Sequence, residues 1–510
     1  MKNIFKYTFL LGALLVFQTS CDEGFDELNK SKTGAISIDP VFQLNNAIIN
    51  TSFPTGTLIY DIGIVQQIIS PNSGVLTGAN YNQDNRDATD DLWQGYYRNV
   101  IRNTRDIIFR TKDVPERSNL MNMARILQAH AFLVLTDDYG DIPYTQGGNG
   151  YNDQVFFPAY DAQQDIYPQI IQELKDASAA LNAAGKIETA DILYGGNIDK
   201  WKKFANSLVL RAGMRMSKVN PTAAQQAASD AFAAGVITSN ADNAKMRHDN
   251  NYLNPVGNTL NSTEAANFYM TEPFVDFLRN TNDPRLSAIA VRYVGAKSGP
   301  EQTTNNQSYD PADQIGMPMG HDNGSITAVA ANLGLASFYD FSQVDRRRVA
   351  DRDAPQYFVT ASQTLLLLAE AKERGWITTA TTAAEFYNSG VRAHMEQMAE
   401  YDANSAIASQ DIDDYLAANP YDQPNALKQI NWQYWVSSLM NGPEAFANFR
   451  RSGYPDLAPN PFPGKAISGD FIRRVTYPNS EISVNTANVN VAIARMGADD
   501  LDTRVWWDIP

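Results

Sequence analysis

The stretch from Ser118 to Asp138 constrains this chain more than any other. Leu120, Met123, Leu127, Ala131, Val134 and Leu135 recur at spacings of three and four, the period of an α-helix. Ile126, Phe132 and Leu133 make its remaining sides apolar as well. A helix that is hydrophobic nearly all round must be covered on every side by other elements. Gly140 supplies a left-handed stop, and Pro143 prevents continuation. His130 sits inside this helix and reads as a hydrogen-bonded core histidine, not a ligand.

The surroundings supply partner helices. Val41–Ile69 carries helix-like apolar spacing. Pro71–Asp91 is a loop rich in Pro, Gly, Asn and Asp, and Leu92–Phe109 is helical again. Pro158 and Asp161 open a helix faced by Ile166, Ile170, Leu174, Ala177 and Leu181. Lys200–Lys218 turns Trp201, Phe204, Leu208, Ala212 and Met216 inward, with Arg211 and Arg215 one turn apart on the opposite side. Pro221 begins its partner. Helices return at Ala361–Arg374, Ala383–Tyr401, Gln410–Ala418 and Asn425–Met440, and the tail from Ser452 is loop-like. Short turns between such helices make antiparallel pairs, the arrangement of helical repeats, although no fixed period is visible in the letters. Asn240–Asp345 breaks the pattern with Asn, Gly, Pro, Asp and Thr. An irregular stretch of that length, carried on a rigid frame, is a place for recognition.

The first residues have a different logic. Lys2 and Lys6 precede an apolar run from Phe9 to Phe17, then Gln18-Thr19-Ser20-Cys21. This is the layout of a secretory signal, and the run is too short to span a bilayer. Cys21 is the only cysteine in 510 residues, so no disulfide within one chain is possible. Its position resembles a bacterial lipobox, with Gln18 where a leucine is usual. The expected layout is a signal peptide over 1–20, an acylated tether over 21–40, and one domain over 41–510 with a loop-rich insertion at about 240–345. The net charge of −16 repels phosphate backbones and argues against nucleic acid as a partner.

No catalytic signature is present: no Gly-x-Ser-x-Gly elbow, no His-Glu-x-x-His, no phosphate-binding Gly-rich loop. The four histidines, His130, His248, His321 and His394, have no metal-site spacing. Asp84, Asp87, Asp90 and Asp91 offer oxygen donors of the kind calcium takes, but not at EF-hand spacing, and the sequence supports no cofactor. Trp201, Trp432 and Trp435 lie on periodic helices and read as core. Tyr81, Tyr252, Tyr309, Phe338 and Tyr339 lie in loop-rich stretches, where an aromatic face can stack on a sugar ring or a peptide side chain.

Several stretches, in order, resemble the SusD/RagB family of outer-membrane nutrient-binding lipoproteins. They are Arg125–Phe132 running into Asp138–Tyr144, Trp201–Arg211, Leu368–Trp376, Arg450–Pro455, and Arg474–Pro478 with Glu481 and Asn485. Ile472 stands where the family often has proline. The resemblance implies an all-α-dominated fold in which tetratricopeptide-like helix pairs form a right-handed scaffold and long loop insertions carry the ligand surface. It implies a non-catalytic surface lipoprotein, acting as lid to a SusC-like TonB-dependent barrel and delivering glycan or peptide to it. Asp22, Glu23, Asp26 and Glu27 then look like the family's surface-export signal. The ligand arc, carried over by place, falls on Pro71–Asp91 and Asn240–Asp345. The residues expected to bind are Asn80, Tyr81, Arg86, Tyr252, Tyr309 and Tyr339. Two other readings stay open: a lipid-anchored glycoside hydrolase, given the many carboxylates, and a structural lid that binds no nutrient itself.

Overall fold

The computed structural model describes residues 38–510. The expected signal peptide, Cys21 and the expected tether up to residue 37 lie outside the described residues. Helices dominate, at 54% of residues against 5% in strands.

Helix α1 spans Pro40–Ile49, α2 Arg86–Gly95, α3 Arg102–Thr111, α4 Ser118–Tyr139 and α5 Gln163–Ala180. Next come α6 at Ile198–Arg215, α7 at Pro221–Ala234, α8 at Glu272–Asn280 and α9 at Asn323–Asn332. The C-terminal half adds α10 at Ala361–Glu373, α11 at Ala383–Gln397, α12 at Ser409–Ala418, α13 at Ala426–Ser437 and α14 at Gly442–Ser452. Neighbours in sequence pack as pairs: α3 with α4, α4 with α5, α6 with α7, α10 with α11, and α13 with α14.

Helix α4 is the axis. Nineteen of its 22 residues are buried, which is what its all-round apolar surface requires. It is covered by α1, α3, α5, α6 and α14, and ends at Gly140 with φ 82°. Helix starts follow local chemistry. Asn197 caps α6 through the Lys200 amide, Asn220 caps α7 with Pro221 at its first position, and Thr360 and Thr382 form capping boxes with Gln363 and Glu385.

Several expectations are corrected. Val41–Ile69 is not one helix: α1 ends at Ile49, and two single turns and a short strand follow. The loop at Pro71–Asp91 gives way to helix at Arg86, capped by Asn85. Between α2 and α3 the chain winds as a π-helix over Tyr96–Ile101. The tail is not all loop, since Asn479–Val484 and Thr486–Met496 are helical.

Arg211 and Arg215 do not face solvent. Both are buried, and Glu444 forms ion pairs with both, at 3.0 and 2.6 Å, while Asp137 lies 3.3 Å from Arg215. A second buried pair joins Arg451 to Glu370 through two bonds of 2.7 and 2.8 Å. Charges are tolerated in this core because each has an opposite partner from another helix. His130 is in the core as expected, but neither ring nitrogen has a hydrogen-bond partner. Its ring lies between Phe204 and Phe358, with centroids at 5.9 and 5.6 Å. Burial, aided by the charge of Arg211, pushes its pKa down to about 3, so it is neutral.

The 240–345 insertion is a patchwork with two small cores of its own. Ile69 pairs with Tyr269 across a two-stranded ribbon, and Ala290–Tyr293 is the middle of a three-stranded sheet with Gln307–Ser308 and Gln343–Val344. That pairing seats the loop after Ile69 against the insertion. No helix among the described residues is long and apolar enough to cross a membrane.

Candidate binding cleft

Three distant stretches converge beside the loop that follows Ile69. Asn80 is the staple. Its amide donates to the carbonyls of Ser70 (2.8 Å) and His321 (2.9 Å), and its oxygen accepts from the Gly320 amide (2.8 Å). Asn460 donates to the carbonyls of Ala79 and Asn80 at 3.0 and 3.1 Å. Ala466 donates to the Asn82 carbonyl at 2.8 Å, and Gln83 bonds the Gly464 carbonyl. Gly320 has φ 76°, and a Cβ there would stand 2.6 Å from the Asn460 Oδ1 atom. Only glycine allows the three strands of chain to come this close.

A cleft of about 460 Å³ opens at this junction, lined by Ser73, Thr77, Tyr81, Gln83, Asp322, Asn323, Gly324 and Phe462. Tyr81 and Phe462 meet edge to face, with centroids 4.7 Å apart and planes at 86°. The Tyr81 hydroxyl donates to the Pro71 carbonyl, which fixes the ring. Burial, with the nearby charge of Asp322, pushes its pKa up to about 12. Thr77 also lines a broader trough of about 900 Å³, which runs along Gly74–Leu76, Asp84–Ala88, Asp91, Thr259, Thr263 and Glu264. The cleft is aromatic with amide and hydroxyl edges. The trough mixes apolar side chains with the carboxylates of Asp84, Asp87, Asp91 and Glu264.

The expected binding residues divide. Tyr81 forms the cleft wall. Asn80 belongs to the same junction, but its amide is committed to the backbone and is not free for a ligand. Arg86 borders the trough, yet its guanidinium is taken by Asp84, Asp499 and the Tyr477 carbonyl. Burial opposes its charge, but Asp499 and Asp84 outweigh that and raise its pKa. Tyr252 is an exposed turn residue, 54% accessible. Tyr309 lies under the Arg348 guanidinium at 3.8 Å, and Tyr339 stacks on Phe338 at 4.2 Å. Tyr309 and Tyr339 support a small core around Val291, Tyr293 and Ala296. None of these last three lines the cleft or the trough.

Thr77, Gln83, Asp322 and Asn323 fall within the stretches expected to carry ligand but are not among the residues singled out there, and Phe462 lies outside those stretches. Among the described residues no group of three His, Cys, Asp or Glu side chains is placed to hold a metal ion. Asp84 is occupied by Arg86 and Thr476, and Asp90 by Gln94.

Comparison with known proteins settles the class. The family of SusD-like proteins described as "Starch-binding associating with outer membrane" matches residues 32–478. A solved chitin-binding protein is 31% identical, covering 92% of this chain and 100% of its own, with a TM-score of 0.81. A Bacteroidetes SusD-like structure is 26% identical over 93% of this chain and all of its own, also with a TM-score of 0.81. A chitin-binding SusD homologue from Flavobacterium johnsoniae shares the fold at 24% identity and a TM-score of 0.75, covering 92% of this chain and 98% of its own. No curated protein matches. The chain therefore belongs to the SusD-like family, whose members are binding proteins and not enzymes.

Proposed function

We propose that this protein captures a neutral glycan in the Tyr81–Phe462 cleft and passes it to an outer-membrane transporter of the SusC type, over which it sits as a lid. The observation that carries the reading is the aromatic pair rimmed by Ser73, Thr77, Gln83 and Asn323. An aromatic face covers the C–H face of a pyranose, and amides and hydroxyls pair with its ring substituents. The trough beside it carries Asp84, Asp87, Asp91 and Glu264, while its one arginine is already paired. That surface repels acidic sugars and acidic peptides. Chitin-binding relatives support a glycan of N-acetylglucosamine as the first ligand to try.

The same reading places the protein on the outer membrane through an acylated Cys21, facing outward, with the barrel as its partner. Titration calorimetry of the purified chain against chitohexaose, maltohexaose and a neutral hexapeptide tests the ligand class. Heat from the glycans and none from the peptide is the expected result. Binding of the peptide alone would overturn it. Co-purification of a barrel with the tagged, membrane-extracted protein tests the partner.

A further inference from the structure

A second cavity, of about 410 Å³, lies among α8, α11, α12 and α13 and shares no residue with the cleft or the trough. Its aromatic wall is Trp432 against Phe277, with centroids 4.6 Å apart and planes at 34°. Trp432 reads as core from its helical spacing, but it is only half-buried and borders this cavity. Its ring is held in place: the indole N–H donates to Asp456 at 2.9 Å, and its edge meets Trp435 at 5.6 Å. Lys428 donates to the other Asp456 oxygen at 2.9 Å, so neither charge is free to attract an ion.

The floor is polar. Tyr387 is 1% exposed and its hydroxyl has no partner among the described residues, although it borders the cavity. Beside it Tyr415 accepts from Gln433 at 2.9 Å. Asn419 commits its nitrogen to the carbonyls of Thr281 and Tyr415, at 3.1 and 3.0 Å, and leaves its oxygen unpaired. Asn425 donates to one Asp422 oxygen at 2.8 Å, which leaves acceptors at the mouth. A fixed indole, a buried unpaired phenol and neutral amide acceptors around a cavity are the parts of a ligand site, not of a core.

We infer that this cavity is a second glycan site, taking one neutral pyranose on Trp432 with its hydroxyls toward Tyr387 and Asn419. The inference rests on the reading that the protein takes glycan at all. Two sites with no lining residue in common let a long polymer be held at two points, and the second contact is then intramolecular. A short oligomer fills each site independently.

The test is calorimetric stoichiometry on the full chain with chitohexaose. Two oligomers per wild-type chain are expected, one per chain in Phe462→Ala and in Trp432→Ala, and none in the double variant. Trp432→Ala can loosen the packing on Phe277 and Trp435, so Tyr387→Phe is run beside it. Loss of that hydroxyl weakens the second site about three- to tenfold without removing an aromatic ring. One oligomer per wild-type chain, lost in Phe462→Ala and unmoved by Trp432→Ala and Tyr387→Phe, overturns this inference and leaves the cleft reading standing. One oligomer, kept in Phe462→Ala and lost in Trp432→Ala, confirms the second cavity and overturns the cleft. No oligomer bound overturns both.

Discussion

Replacing Glu370 with glutamine tests how the charged core is held together. Glu370 is 1% exposed and accepts two bonds from Arg451, one from Arg374 at 2.9 Å, and one from Asn431 at 3.3 Å. The substitution keeps the shape and removes the charge. It leaves the Arg451 guanidinium, also 1% exposed, without a carboxylate partner, with only neutral oxygens of the new amide, Asn431 and Asn448 as acceptors. An uncompensated buried charge of this kind costs about 3–5 kcal/mol. With an unfolding entropy of roughly 2.1 cal/mol/K per residue over about 470 residues, each kcal/mol lowers Tm by about 1 °C. Scanning calorimetry at pH 7 should therefore show Tm falling by roughly 3–5 °C. The double variant Glu370→Gln with Arg451→Met should recover most of the loss, because the one charge left without a partner, Arg374, is partly exposed to solvent.

Acid should reproduce the effect. Burial pushes the Glu370 carboxyl up, but the charges and bonds of Arg451 and Arg374 outweigh it and hold its pKa at about 2, against an ordinary 4.5. A depressed carboxylate pKa stabilises the fold above the unfolded value. Its contribution of about 3 kcal/mol is complete above pH 4.5 and is lost as pH falls toward 2. A Tm unchanged in Glu370→Gln, or a double variant no better than the single, would refute the reasoning.

Phe462→Ala should weaken glycan binding at the cleft by at least about tenfold, the worth of one stacked ring at about 1.5 kcal/mol, with Tm little changed; calorimetric titration reads both this and the control Tyr252→Ala, which should bind like wild type. His130→Leu should flatten the acid limb of stability. The wild-type histidine stays neutral when folded and protonates when unfolded, so stability falls by about 1.4 kcal/mol per pH unit below its ordinary 6.5 until its folded value of about 3. Urea unfolding at pH 7 and pH 5 measures the difference. Cys21→Ser should shift the protein out of the membrane fraction, or leave it uncut, when no barrel is co-expressed; continued sedimentation with membranes counts against the lipid anchor.

Much of the scaffold was legible because its signals are local. An all-round apolar helix with a glycine stop announces α4, and Pro221 marks the start of α7. The charged core was not legible. Arg211 and Arg215 one turn apart look like a solvent face until Glu444 arrives from another helix. The cleft was half legible. Tyr81 stood out as an aromatic in a turn-rich loop. Phe462, flanked by Pro461 and Pro463, carried no period to mark it, and nothing in the sequence joins Gln83 to Gly464, 381 positions later. Asn80 has the chemistry of a ligand contact, and that chemistry is spent on backbone. Tyr309 and Tyr339 lie in stretches with the composition of a binding loop, and they serve a small core that an irregular sequence hides.

The junction at Asn80, Gly320 and Asn460 sews together stretches that begin, divide and end the folded chain. On the proposed function, a sugar seated against the touching rings of Tyr81 and Phe462 would be a removable crosslink between stretches far apart in the polypeptide. Occupancy resists unfolding in proportion to the logarithm of ligand concentration, so a surface protein of this build is toughest when its food is plentiful.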